Sequence, residues 1–152
     1  MKIAGRYSFP GAAKQVWDLL TDPKALQHCT PGCKQMEEIA KDEFKASMQI
    51  GVGPITGTYS GKIRMSDKEE PRSYKLHVEG TGAAGFVRGE GFLSLEEEGP
   101  DKTLVIVTGE AMVGGLVAGV GQRLLEGVSK QFMGQFFKCL QGQLAGHKKE
   151  TS

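Results

Sequence analysis

The sequence predicts an α+β domain: a curved antiparallel sheet of about seven strands wrapped around one long C-terminal helix, with two short helices after the first strand. Two observations carry this. From about residue 33 to residue 114 the apolar residues largely follow a period of two, cut by Gly, Pro and Asp turns. Beyond it the period changes. Leu116, Val120, Leu124, Val128, Phe132, Phe136, Leu140 and Leu144 recur every four residues, with Val117, Leu125 and Phe137 alongside. That is one amphipathic helix from about Val117 to Ala145, roughly 40 Å long at 1.5 Å per residue. A sheet with one apolar face must cover it, and the helix carries the matching stripe.

Each element has its own signal. "KIAGRYSF" alternates weakly and forms the first strand, ended by Pro10-Gly11. "AAKQVWDLL" places Val16, Trp17, Leu19 and Leu20 at helical spacing. Thr21-Asp22-Pro23 starts a second short helix, with Pro23 suited to its first position. "HCTPGC" is a loop. "CKQMEEIA" and "EFKASMQIGV" are strands joined by Lys41-Asp42, and Gly53-Pro54 turns into "ITGTYSGKIRMSDK". Glu70-Pro71-Arg72 leads to "SYKLHVEG", and Gly99-Pro100-Asp101 leads to the last strand, "TLVIVTGEAMV". His147-Lys148-Lys149 place positive charge at the helix C-terminus, where it is favourable. With 152 residues the chain is expected to be one domain, 1–146, and a polar tail, 147–152.

"GTGAAG", residues 80–85, follows a strand and has the spacing of a dinucleotide-binding loop. Such a loop must open a helix whose N-terminus holds the pyrophosphate. The following "FVRGEGFLSLEEE" instead alternates, and Gly89 and Gly91 would each cost a helix about 1 kcal/mol relative to Ala. Gly82-Ala83-Ala84-Gly85 is therefore expected to be a β-hairpin turn, and no cofactor is expected.

Composition excludes other classes. With 19 Lys and Arg against 18 Asp and Glu, nothing steers the chain to nucleic acid. The most apolar window, "LVIVTGEAMVGGLVAGVG", is broken by Glu110 and five glycines, so no transmembrane helix is expected. The N-terminus has no apolar signal segment, and three cysteines, an odd number, fit a reducing cytoplasm. No metal site is expected: His28, Cys29 and Cys33 are close in sequence, but no second ligand pair exists, only a distant Cys139. The cysteines are expected to pack as small apolar residues. A disulfide across Thr30-Pro31-Gly32 would form only outside the cytoplasm.

Nucleophilic catalysis needs an oriented base beside the nucleophile. His28 lies in a loop, His77 is expected to face solvent, and His147 sits at the chain end. Two groups are weak catalytic candidates. Glu110 has apolar neighbours on both faces of its strand; facing inward it would have a raised pKa. The cost of burying an unpartnered carboxylate favours the outward orientation. Tyr59 shares a face with Ile55, Gly57, Gly61, Ile63 and Met65 and points to the helix, where it would bond a ligand or a local partner.

Glycine is the compositional outlier, 22 residues, about twice the usual share. Gly57, Gly61, Gly89 and Gly91 fall on inward strand faces, while Gly114, Gly115, Gly119 and Gly121 lie where the last strand meets the helix. Glycine inside a strand marks a bend or a close approach. Repeated on one face, it implies either space held open between sheet and helix, or close helix–sheet packing. The first reading gives a ligand-binding set on the sheet of Tyr59, Ile63, Leu76, Val78, Val87, Gly89, Gly91 and Val107, and on the helix of Val117, Val120, Gly121, Leu124 and Val128.

The element order is similar to the helix-grip arrangement of the START-like (SRPBCC) superfamily. "LLTDPKALQHCTPGC", "VGPITGTYSGKI", "YKLHVEGTGAAGFVRGEG", "AMVGGLVAGVGQRLL" and "QFMGQFFKCL" together resemble the CoxG family of carbon monoxide dehydrogenase proteins over residues 2 to about 144. The resemblance implies a non-catalytic accessory protein. Its family members are associated with molybdenum-containing CO dehydrogenases and related hydroxylases and are implicated in membrane recruitment; the superfamily commonly binds apolar small molecules. Many members carry a C-terminal extension with a membrane anchor. This sequence ends at Ser152, so the expectation is a cytoplasmic protein whose membrane contact, if any, is peripheral. It is expected to bind a lipid- or quinone-like molecule and to serve a molybdenum hydroxylase-type enzyme. The alternatives are a START-like cyclase, dehydratase or hydrolase using Glu110 or Tyr59, and a ligand-free interaction module.

Overall fold

The computed structural model describes residues 1–151, with side chains as far as Gly146. The basic side chains at 147–149 therefore lie outside the described residues. Strand β1 (Lys2–Phe9) is followed by α1 (Ala13–Leu20) and α2 (Pro23–Cys29). Six strands follow: β2 (Cys33–Ala40), β3 (Glu43–Ile50), β4 (Gly57–Glu69), β5 (Ser73–Gly82), β6 (Gly85–Gly99) and β7 (Lys102–Gly114). The last helix, α3, runs over Gln122–Thr151. The strands form one antiparallel sheet in the order β1-β7-β6-β5-β4-β3-β2, so only the β1–β7 pairing joins strands distant in sequence.

Local chemistry sets the short helices. Asp22 caps α2 by accepting from the Lys24 N–H at 3.0 Å, and Pro23 occupies the first turn. The Gln15 side chain accepts from the Ala12 N–H at 3.0 Å at the start of α1. Helix α1 then buries Ala13, Val16, Trp17 and Leu20, spaced three and four apart on one face. Its Trp17 meets the buried Tyr74 of β5 edge-on, with centroids 5.4 Å apart.

The core fills one end of the concave face. Phe9, Val105, Leu93, Leu95, Tyr74, Met65 and Phe44 lie under α1, α2 and the C-terminal half of α3, which contributes Phe137, Leu140 and Leu144. Leu140 and Val105 are fully buried. The polar Thr103 is buried with its hydroxyl donating to the Gly11 carbonyl at 2.7 Å.

Two expectations are corrected. The long helix does not begin at Val117: Gly115–Val120 is a 3₁₀ segment, and α3 starts at Gln122. Gly121 between them has φ +99°, a conformation side chains resist and glycine adopts freely. The four-residue spacing of Val117 and Val120 continues the helical pattern, but the backbone breaks at Gly121. The cysteines also differ from the expected small apolar packing. Cys29 at the end of α2 is bonded to Cys139 in α3, 110 residues away, rather than across the turn to Cys33. Stacking of α3 on α2 brings the two together, which sequence spacing does not disclose.

A bond closing so long a loop restricts the unfolded chain. Cys139→Ala is expected to lower stability to urea by roughly 2–4 kcal/mol in oxidising buffer. Reductant should bring wild type and variant to similar midpoints. Equal midpoints in oxidising buffer would show that the bond does not constrain the chain.

Candidate functional site

Past the closed core the concave face changes character. Across β4, β5 and β6, Ile63 pairs with Val78 and Val78 with Gly89; Leu76 pairs with Gly91, and Gly80 with Val87. These residues share one face because side chains alternate along each strand. Ile63, Leu76, Val87, Gly89 and Gly91 are half-buried, and Val78 remains 36% exposed. Val107 is nearly buried, at the border with the core. Opposite this region the N-terminal half of α3 carries a half-buried stripe of Leu125, Val128, Phe132, Met133 and Phe136. Leu124, at its start, is 38% exposed. Helix α3 packs on α1, α2, β1 and the 3₁₀ segment.

The glycines separate two explanations. A Cβ at Gly109 would lie 2.5 Å from the Glu90 carbonyl oxygen, so strand packing itself demands glycine there. Gly61, Gly80, Gly89 and Gly91 are different. A Cβ at Gly80 would meet nothing within 4 Å. At Gly91 it would meet only the Thr108 carbonyl oxygen at 3.4 Å, and at Gly89 only the Glu110 carbonyl oxygen and Ala111. At Gly61 its neighbours would be Glu79 and Ala46. All these contacts lie within the sheet. No atom of α3 comes close, so close helix–sheet packing does not account for these four glycines.

The far end is closed by two 3₁₀ turns, Gly53–Ile55 and Gly115–Val120, which pack on each other. Val117 and Ile55 are buried there, and the Val117 N–H donates to the Ala84 carbonyl at 2.7 Å. Val117, Val120 and Gly121 therefore belong to this end cap, not to the helix wall. Leu116 beside them is 78% exposed. Gly82-Ala83-Ala84-Gly85 is a two-residue hairpin between β5 and β6, with Gly82 paired to Gly85. No helix follows it, so the phosphate-loop geometry does not exist.

The catalytic candidates resolve in turn. Glu110 is exposed on the convex face, in a cross-strand row running Lys2, Glu110, Glu90, His77, Arg64 and Glu43. His77 shares that row: Nδ1 lies 3.3 Å from a Glu90 carboxylate oxygen, and Nε2 lies 3.2 Å from the Ser66 hydroxyl. Tyr59 is half-buried on the concave face, but its hydroxyl donates to the Ile55 carbonyl at 2.8 Å. It is committed to the end cap. Sequence reasoning passed over Tyr7, which lies inward on β1 with its ring stacked on Phe137, centroids 4.1 Å apart. Burial pushes its pKa above the ordinary tyrosine value. The alternation Ile3, Gly5, Tyr7, Phe9 was the available signal.

Two other depressions lie apart from these residues. A polar cleft of about 460 Å³ is lined by Trp17, Thr21, Lys41, Asp42, Ser66, Asp67, Lys68 and Glu70. A groove of about 230 Å³ runs between β1 (Met1–Ala4) and α3 (Glu126, Ser129, Lys130 and Met133). None of the sequence-predicted ligand residues lines either one. Among the described residues no three His, Cys, Asp or Glu side chains are placed to share a metal ion. No described helix is long and apolar enough to cross a membrane.

Two substitutions check these placements. Glu110→Gln should change stability by no more than about 0.5 kcal/mol, as for other exposed sites; a larger loss in urea unfolding would place the carboxylate in a structural network. Gly121→Leu should destabilise by about 1–3 kcal/mol, because its positive φ strains a side chain despite the gain in helix propensity. An unchanged or higher melting temperature would show that the helix reads through Gly121.

Known proteins share this architecture. A conserved protein from Geobacillus kaustophilus of known crystal structure is 39% identical over 96% of each chain, with a TM-score of 0.93. A START superfamily protein from Mycobacterium smegmatis is 14% identical over 95% of this chain and 97% of its own, with a TM-score of 0.75. The Zhui aromatase/cyclase from Streptomyces sp. R1128 is 12% identical over 95% of this chain and 93% of its own, with a TM-score of 0.71; at that identity it shows the fold alone. No curated protein matches in sequence. The family model for CoxG, the G component of carbon monoxide dehydrogenase, matches residues 5–145. The chain belongs to the CoxG family, on a START-like fold.

Proposed function

We propose that the chain is a non-catalytic accessory protein that holds one apolar or amphipathic small molecule, lipid- or quinone-like, between the concave face and α3. The observation that carries this is the pairing of two half-buried apolar surfaces across a region where four glycines face no helix atom. Burying such surface against a ligand gains about 25 cal/mol per Å². Pockets of this kind are apolar with few polar groups, and the concave lining matches that chemistry. The binding set is Ile63, Leu76, Val78, Val87, Gly89, Gly91 and Val107 on the sheet and Leu124 and Val128 on α3. Tyr59, Val117, Val120 and Gly121 shape its closed end.

Family membership supports a partner of the molybdenum hydroxylase type, which the ligand would serve, and a cytoplasmic place of action. In a reducing cytoplasm Cys29 and Cys139 would stand as thiols, and Phe137, Leu140 and Leu144 would hold α3. The catalytic reading loses its residues, since Glu110 faces solvent and Tyr59 is bonded to its own chain.

The test is to fill the space. N-phenyl-1-naphthylamine, a fluorescent apolar probe, should bind saturably, one molecule per chain. Gly89→Leu should fold with a melting temperature near wild type, because its Cβ meets only ordinary contacts. Probe affinity should fall at least tenfold, about 1.4 kcal/mol. A wild type that binds no probe, or a Gly89→Leu variant that binds as well as wild type, contradicts the proposal. An unfolded variant shows that the glycine serves packing.

A further inference from the structure

We infer that Tyr7 is the hydrogen-bond donor that selects the bound molecule, so that the ligand is an apolar body carrying an oxygen acceptor at its inner end. The inference rests on the binding reading above and gives that site its polar contact.

Three observations place the hydroxyl. First, the Tyr7 ring is pinned on one side by Phe137, stacked at 4.1 Å with the planes 12° apart. Second, the ring lies down over Gly5. A Cβ at Gly5 would sit 2.7 Å from Tyr7 Cε2 and 2.8 Å from its hydroxyl oxygen. The missing side chain is what lets the phenol lie along β1 toward Ile3. Gly5 pairs with Val107 and Ile3 with Gly109, so this direction leads from the closed core to the glycine-bearing end of the sheet. Third, the hydroxyl makes no hydrogen bond among the described residues, although the side chain is half-buried.

The other tyrosines do not compete for the role. Tyr59 donates to Ile55, and Tyr74 is sealed in the core under Trp17. Around Tyr7 the concave face offers Ile3, Val107, Gly109 and Gly91, none with a side-chain polar group. A half-buried donor without a partner is unfavourable, and an acceptor brought in by a ligand removes that cost. Burial favours the neutral phenol, which keeps the proton to be donated. A hydrocarbon of the same shape would leave the donor unpaired, so the site discriminates by the acceptor rather than by size.

The test uses two probes of nearly equal shape, 2-acetylnaphthalene and 2-ethylnaphthalene, which differ by one carbonyl. Binding is measured by titration calorimetry for wild type and Tyr7→Phe, which keeps the ring stacked on Phe137. Affinity for 2-acetylnaphthalene should fall five- to tenfold in the variant, and affinity for 2-ethylnaphthalene should stay within twofold. Equal weakening of both probes would show that Tyr7 acts by packing and would overturn the inference. No change for either would overturn it as well. Wild type that binds 2-ethylnaphthalene but not its acetyl counterpart refutes the donor while keeping the apolar site. Wild type that binds neither refutes the binding reading itself. Should Tyr7→Phe fail to fold, the infrared carbonyl stretch of 2-acetylnaphthalene bound to wild type decides. It should lie below its position in hexane, and a hexane-like position overturns the inference.

Discussion

Phe137 stacks on Tyr7, meets Phe9 edge-on at 6.3 Å, and meets its neighbour Phe136 edge-on at 5.0 Å. This aromatic cluster fixes where α3 crosses the sheet. Leu140 and Leu144 follow on the same helical face and are buried with it. With the C-terminal half of α3 anchored there, its N-terminal half is carried over the glycine-bearing end of the sheet as a lever from a fixed point. The closed core and the half-buried region are therefore two consequences of one packing arrangement. Aromatic pairs of this kind contribute about 0.5–1.5 kcal/mol each beyond the area they bury.

The sheet divides in the same place. On β7, Val105 is fully buried, while Gly109 and Ala111 two turns of the pleat further along are only half-buried. On β6, Leu93 and Leu95 give way to Gly91 and Gly89. Side chains that would fill a core are replaced by hydrogen atoms once the strand leaves the shelter of α1 and α2. A protein that needed only stability would place larger residues at Gly80, Gly89 and Gly91, where a Cβ meets no obstacle closer than 3.4 Å. Retaining glycine there is a local departure from strand propensity, and such departures concentrate where a fold has a task besides folding.

Much of this was legible in the residues. The period of two marked β3 to β7, and the turn residues Lys41-Asp42 and Gly99-Pro100-Asp101 fell between strands. The alternation after Gly85 was enough to reject a phosphate loop in favour of a hairpin. What could not be read depended on backbone angles or on long-range placement. Val117 and Val120 keep helical spacing, and only the φ of Gly121 shows that the helix starts later. Cys29 and Cys139 meet because α3 folds back on α2. Tyr59 was correctly placed inward, but the carbonyl that occupies its hydroxyl belongs to Ile55, in a 3₁₀ turn that the strand pattern concealed. Tyr7 sat in a weakly alternating strand, and its significance lies in Gly5 and Phe137 together.

The central claim is that the space between the concave face and α3 belongs to a small molecule. Native mass spectrometry of the protein purified from its own host, followed by solvent extraction of the bound material, tests it most directly. The account predicts a one-to-one complex whose mass excess is released by solvent as an apolar, oxygen-bearing molecule. A chain at its bare mass of 16.4 kDa that also takes up no apolar probe, or an extract containing a dinucleotide, would contradict it.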